Sequence, residues 1–238
     1  MIGNAEAAVE AYWAGLLGCT VDDLRSPGLH IGTYRGTYRD AWWLQRQTSH
    51  ILAVPADLLE RTRGRVLGGR RSDDVDLAYI ESVLAPEVGR IIGPCFLGYA
   101  DRQSLRAVPS LTARQLGPAD VAALHELADA CHPDEWAESG LDIDRAPIFG
   151  CFEGRRLVAA ASYEMSGGRL AHMGVLTHPA VRRSGHGRVA AACAATDAVN
   201  RDLVVQWRAL ESNTASVTLA MSLGCTRWGS HYTILMPQ

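Results

Sequence analysis

The 238-residue sequence contains no lysine, so all 23 basic residues are arginine. This is read as a composition bias, and no function is drawn from it. With 26 acidic residues the formal charge is −3, which excludes the whole-chain basic signature of a nucleic-acid binder. No apolar run approaches the ~20 residues that a membrane helix needs. The first residues, MIGNAEAAVEAYW, carry acids where a signal peptide would carry a basic region. A cytoplasmic protein with no membrane partner is therefore expected. The six cysteines (Cys19, Cys95, Cys131, Cys151, Cys193 and Cys225) form no CxxC pair. Zinc spacing is thus absent, no metal is expected, and most of these thiols read as small core residues. No internal repeat recurs at a fixed period.

What is present is ordinary globular material, 47% hydrophobic and 21% charged, long enough for one large domain or two modest ones. AEAAVEAYWAGLLG (5–18) has helical apolar spacing. LHIGTY (29–34), AWWLQRQ (41–47) and HILAVP (50–55) read as strands, and 55–68 and 73–85 as helices opened by Pro or Asp. A strand and a Gly-punctuated turn follow at 88–101, and a polar stretch at 102–110 reads as a linker. This divides the chain into an α/β region over 1–105 and a second domain over 110–238. The second domain opens with a helix (118–131) and a polar loop or short helix (132–147). A hairpin over 148–165 and a strand over 169–178 come next. LVVQWRAL (203–210) reads as a buried strand, 212–225 as a helix with a Gly stop, and HYTILM (231–236) as a closing strand.

Between strand 169–178 and strand 203–210 runs RRSGHGRVAAACAA, Arg182 to Ala195. It bridges a strand end and a helix N-terminus, where orphan N–H groups and the helix dipole favour an anion. Gly185 and Gly187 are expected to keep Cβ atoms out of a phosphate's way. Arg182, Arg183 and Arg188 can add charge-assisted bonds.

Taken with THPAV before it, ESNTAS at 211–216 and LGC at 223–225, this pattern resembles the GCN5-related N-acetyltransferase (GNAT) superfamily over residues 110–238. The chain is also similar to a bacterial group of that superfamily with an extra N-terminal α/β half. That group carries CxPxEW-like and QYRxLExNxxS segments, matched here by CHPDEW (131–136) and QWRALESNTAS (206–216). The resemblance implies a GNAT fold, a mixed α/β sheet splayed between strands 169–177 and 203–210. It implies acetyl-CoA as co-substrate, with the pyrophosphate on Arg182, Arg183, Ser184, Gly185, His186, Gly187 and Arg188. The pantetheine arm would lie along Val175 and Thr177, helped by Asn213 and Ser216. The N-terminal half is then a partner of the catalytic domain or a decayed copy of it.

Acetyl transfer asks for proton removal from the amine and for polarisation of the thioester. The family's usual Tyr acid falls here at Ala220, and its usual strand Glu at Ala171, so those roles do not carry over. His172, with an ordinary pKa near ~6.5, and Glu211 are the candidate catalytic residues. Strict alternation points His172 away from Ala171, Met173 and Val175. Asp134, Glu135, Trp136 and Tyr163 are the candidate acceptor-binding residues. The expected activity is N-acetylation of a primary amine of a small molecule by direct attack in a ternary complex; a homodimer is compatible with it. The alternatives are a non-catalytic acyl-CoA-binding module, or a transferase using a carrier-protein or aminoacyl-tRNA donor docked on Arg61, Arg63, Arg65, Arg70 and Arg71.

Overall fold

A computed structural model describes residues 3–66, 74–106, 108, 112–142 and 147–237. The expected mixed α/β architecture is present, in two compact units. The expected linker lies only partly within the described residues. The break in the structure falls earlier, between Leu97 and Gly98.

One unit is built on Glu6–Leu97 and takes in Ala209–Thr214 and Arg227–Gln238. Helix α1 (Gly3–Leu17) precedes strands β1 (Gly28–Thr33), β2 (Asp40–Arg46) and β3 (Ser49–Val54). β3 lies between the other two, parallel to β1 and antiparallel to β2. Helices α2 (Leu59–Arg65) and α3 (Leu77–Leu84) and strand β4 (Ile91–Ala100) follow. Asp76 caps helix α3, accepting the Tyr79 N–H at 2.8 Å; Asp73, where the sequence reading begins the helix, lies outside the described residues. The closing strand β10 (Thr226–Leu235) starts earlier than expected and pairs antiparallel with β2, giving the order β1-β3-β2-β10-β4. Trp43, Leu52, Val54, Ile80, Leu84 and Ile234 form its core.

The other unit comprises mainly Gly98–Arg208 and Ala215–Thr226. Its strands are β5 (Ala113–Gln115), β6 (Ile148–Glu153), β7 (Arg156–Ser166), β8 (Leu170–Thr177) and β9 (Val204–Leu210), in the order β9-β8-β7-β6-β5. Helices α4 (Val121–Asp129) and α5 (Pro133–Ser139) cover one face. Leu124 and Leu127 of α4, with Cys131 between the two helices, pack with Leu141, Ile148, Leu157 and Leu176. Helix α6 (His186–Asn200) covers the other face, burying Ala190, Ala191, Ala194, Ala195 and Ala198. These small side chains let the helix lie close to the sheet. Helix α7 is Thr214–Ser222.

Alternation along β8 sorts its residues between the two faces. A Cβ on Gly174 would stand 1.9 Å from the Ser139 carbonyl oxygen of α5. Gly174, and with it His172 and Leu176, therefore faces α4 and α5. Ala171, Met173, Val175 and Thr177 face α6. The predicted direction of His172 is the observed one. The β8–β9 ladder is parallel and short, running Leu170↔Val204, Ala171↔Val205 and His172↔Gln206.

Candidate functional site

The turn after β8 is built from three local devices. His178 accepts the Ala180 N–H on Nδ1 at 3.1 Å and caps a single 3-10 turn over Pro179–Val181. Arg183 (φ 66) and Gly185 (φ 89) then take left-handed conformations that reverse the chain into α6. The helix's first i→i−4 bond runs from the Val189 N–H to the Gly185 carbonyl at 3.1 Å. The N–H groups of His186, Gly187 and Arg188 lie ahead of it, at the positive end of a 15-residue helix. A Cβ built on Gly185 meets nothing within 4 Å, so the turn is open on the side where an anion would sit. Such a cradle fits a pyrophosphate in charge and in backbone shape.

The two glycines serve different ends. Gly185 is required by its positive φ. A Cβ on Gly187 would stand 2.6 Å from Thr177 Oγ1 and 3.7 Å from Val175 Cγ1. Gly187 therefore lets α6 dock on β8, a packing role beside the expected one of clearing space for phosphate.

Arg182 is tied down on its own unit, donating to the Thr177 carbonyl at 3.2 Å and to Glu135 Oε2 at 2.8 Å. Glu135 Oε2 also accepts the His132 N–H that opens α5. The Arg182 guanidinium, with that N–H bond, holds the Glu135 carboxyl below its ordinary range. Glu135 thus joins α5 to the turn, and its carboxylate is spoken for within the unit. Arg188 reaches the Ser222 carbonyl at 3.4 Å, while Arg183 and Ser184 are exposed. His186 turns toward β6, with Nε2 2.8 Å from Glu153 and Nδ1 3.6 Å from Cys151 Sγ. Sequence reasoning missed Glu153 and Cys151 as partners of this turn, because nothing local in sequence joins β6 to residue 186.

Of the acceptor candidates, Asp134 is exposed beside His132, at 3.4 Å. Trp136 is half-buried and lines a cleft of about 330 Å³ with His125, Leu141 and Asp142. Tyr163 requires a correction as an acceptor-binding residue. It is buried on the α6 face, and its hydroxyl donates to Asp197 at 2.5 Å. Burial and that carboxylate push its pKa up to about 12.

His172 also departs from the expectation of a near-neutral pKa. Desolvation, aided by the Arg208 charge, pushes its pKa down to about 3. The ring is neutral and a weak base, so the role of general base is withdrawn from it. Cys225 is pushed up to about 12 by burial, and Cys193 is raised by burial and by Asp197, which suits neither to nucleophilic work. Ser216 Oγ accepts the Trp207 indole N–H at 2.9 Å. Ala220 is fully buried in α7.

Glu211 and Asn213 belong to the unit built on Glu6–Leu97. There the Glu211 N–H donates to the Pro94 carbonyl at 2.9 Å, and Arg227 donates to Glu211 Oε1 at 2.5 Å while lying over the Phe96 ring. The Asn213 N–H donates to the Leu210 carbonyl at 2.9 Å. In the same unit, Arg61 pairs with Glu87, Arg63 with Glu60, and Arg65 reaches the Val83 and Ala85 carbonyls. Arg61 and Arg63 are thus paired with acids and Arg65 is held by backbone carbonyls; Arg70 and Arg71 lie outside the described residues. Among the described residues no group of three or more His, Cys, Asp or Glu side chains is arranged to hold a metal. None of the described helices is long and apolar enough to cross a membrane.

Residues 149–235 match the family model described as GNAT acetyltransferase. Among solved structures the chain is similar to an acetyltransferase of the GNAT family from Colwellia psychrerythraea, at 15% identity and a TM-score of 0.52 over 69% of this chain and 63% of that one. It is likewise similar to a GCN5-related N-acetyltransferase from Kribbella flavida, at 20% identity and a TM-score of 0.50 over 68% of this chain and 64% of that one. The chain thus spans less than two thirds of the length of either structure, and at these identities the likeness is one of fold. No curated protein matches the chain.

Proposed function

We propose, from the match of residues 149–235 to the GNAT acetyltransferase family model, that the chain is a member of the GNAT superfamily and an acetyl-CoA-dependent N-acetyltransferase acting on a primary amine of a small molecule. Family and fold support acyl transfer in general, and the superfamily implies acetyl-CoA as co-substrate. The observation that carries the finer reading is the open turn over 183–188. Its left-handed Gly185 and the first N–H groups of α6, which have no acceptor within the helix, suit a pyrophosphate. Acetyl-CoA supplies the thioester. The amine nitrogen forms a bond to the acetyl carbon, the carbon–sulfur bond breaks, the nitrogen loses a proton, and the sulfur leaves with the electron pair.

Within this reading Arg183, Ser184 and the N–H groups at 186–188 hold the phosphates, and Val175 and Thr177 line the arm on β8. Asn213 and Ser216 keep the coenzyme roles that the family resemblance implies. Glu211 is proposed as the proton acceptor through water, its carboxylate aimed by Arg227. Asp134 and Trp136 are proposed at the acceptor's entry. With Ala220 in the usual Tyr position, the leaving thiolate takes its proton from solvent. Ala220 also favours a second reading, an acyl-CoA-binding module without turnover.

Thiol release from acetyl-CoA across a panel of amines separates the two readings, and calorimetry of CoA tests the turn. Ser184→Glu places a carboxylate on the exposed turn without touching the core. It is expected to abolish CoA binding, and an unchanged affinity would remove residues 183–188 as the coenzyme site.

A further inference from the structure

The unit built on Glu6–Leu97 carries a cleft of about 380 Å³ at the end of the β2–β10 ladder, where Gln45 pairs with Ser230. That volume lies at the small end of the range of about 300–1,000 Å³ found for small-molecule sites. The lining includes Gln45, His50, Arg227, Trp228 and Ser230, with no acidic side chain among the described residues. Arg227 is the lining side chain with a permanent charge. The neighbouring guanidinium of Arg46 lies over the Trp228 ring at 4.8 Å, but Glu6 and Glu10 already match it at 2.7 and 2.8 Å. Arg227 is held firmly yet only half engaged. Its Nη1 donates to Glu211 at 2.5 Å, and the guanidinium stands 5.0 Å over the Phe96 ring. The other edge, Nε–H and Nη2–H, has no partner among the described residues. Gln45 Oε1 accepts the Ser230 hydroxyl at 3.1 Å. This fixes which way round the amide sits, and its Nε2 hydrogens are donors without a partner among the described residues.

We infer that this cleft binds a small monocarboxylate, its two oxygens on the Nε and Nη2 edge of Arg227 and one of them also bonded by Gln45 Nε2. That edge offers two parallel N–H groups in one plane, the fork that a carboxylate takes bidentately. The charge balance selects among anions. Glu211 neutralises the guanidinium from its far side, so a dianion would meet a repulsion that no second lining cation offsets. Trp228 and His50, the latter stacked on Trp43 with ring centroids 5.9 Å apart, give the rest of the ligand an aromatic wall. The cleft shares no residue with the turn over 183–188, so the inference goes beyond the acyl-transfer reading and stands or falls apart from it.

The test uses the full chain with isotope-labelled arginine at constant ionic strength and mildly alkaline pH, where inorganic phosphate is a dianion. Arg227→Lys identifies the Arg227 Nε resonance by its loss. The wild type is titrated with propionate, with propionamide as its uncharged near-isostere, and with inorganic phosphate. Propionate is expected to move the Arg227 Nε resonance saturably, propionamide to leave it in place, and phosphate to act more weakly than propionate. Gln45→Glu keeps the size of the side chain and an acceptor for the Ser230 hydroxyl, but replaces the donor by a negative charge. It is expected to weaken propionate binding at least about tenfold. The wild-type comparison of the three probes stands even if that variant fails to fold. An unmoved Nε resonance overturns the inference, as does an equal response to propionamide. A stronger response to phosphate overturns the monocarboxylate class, and undiminished propionate binding by folded Gln45→Glu overturns the placement.

Discussion

Arg182, at the start of the glycine turn, donates to Glu135 of α5 at 2.8 Å. The first arginine after the strand end is thus matched to an acid from another element. Both partners are substantially exposed, so the pair contributes little to stability, about 0–1 kcal/mol. Its larger effect is electrostatic, because an acid stands beside a turn suited to an anion. Glu135→Gln should leave the melting temperature nearly unchanged and tighten CoA binding severalfold, with a steeper dependence on salt. Calorimetry at two ionic strengths checks this, and weaker binding in the variant would mean that Glu135 positions Arg182 for phosphate.

Gly187 and Thr177 make a second testable contact. A methyl group at 187 meets Thr177 Oγ1 at 2.6 Å, so Gly187→Ala should cost about 1–3 kcal/mol through overpacking. Thr177→Ala removes the obstructing oxygen, and the double variant should recover most of the loss. By contrast, a Cβ at Gly174 meets the backbone oxygen of Ser139 at 1.9 Å, which cannot rotate away. Gly174→Ala should therefore be the more damaging of the two. Urea denaturation of the wild type and these four variants measures all of this, and additive losses in the double variant would refute the contact.

These two glycines also show what a sequence can and cannot disclose. The turn was legible from RRSGHGR because the need for left-handed backbone and free N–H groups is local. The reason for Gly187 was not legible, since it depends on how closely α6 approaches β8. Alternation correctly placed His172 opposite Val175, whereas its pKa depends on burial set by the whole sheet. Tyr163 read as a pocket residue because its partner, Asp197, is 34 positions away. The α5 helix was half legible. Pro133 and Glu135 are start signals, but seven residues are too few to show a period. The three-residue β5 has no pattern of its own and exists only by pairing with β6.

Tyr163→Phe separates structure from recognition at that residue. The variant loses one buried hydrogen bond to a carboxylate, while Asp197 keeps its 2.8 Å bond from Arg201. A loss of about 1–3 kcal/mol in unfolding free energy is expected, with no change in KM for any amine that the protein acetylates. A raised KM at unchanged stability would restore Tyr163 to the acceptor site.

The depressed pKa of His172 has a definite pH signature. Its imidazole titrates near 6.5 when unfolded and at about 3 when folded. Below pH ~6.5 the unfolded chain gains a proton that the folded chain refuses. The contribution of His172 to stability is therefore complete above pH ~6.5 and falls as the pH drops toward 3. The slope is at most about 1.4 kcal/mol per pH unit. Replacing the ring by Gln removes this proton linkage while keeping a polar side chain. Between pH 7 and pH 4 the wild type should lose more stability than His172→Gln, so that their urea midpoints converge or cross on acidification. Parallel midpoints across that range would show that the ring titrates normally in the folded protein, and His172 would again qualify as a general base.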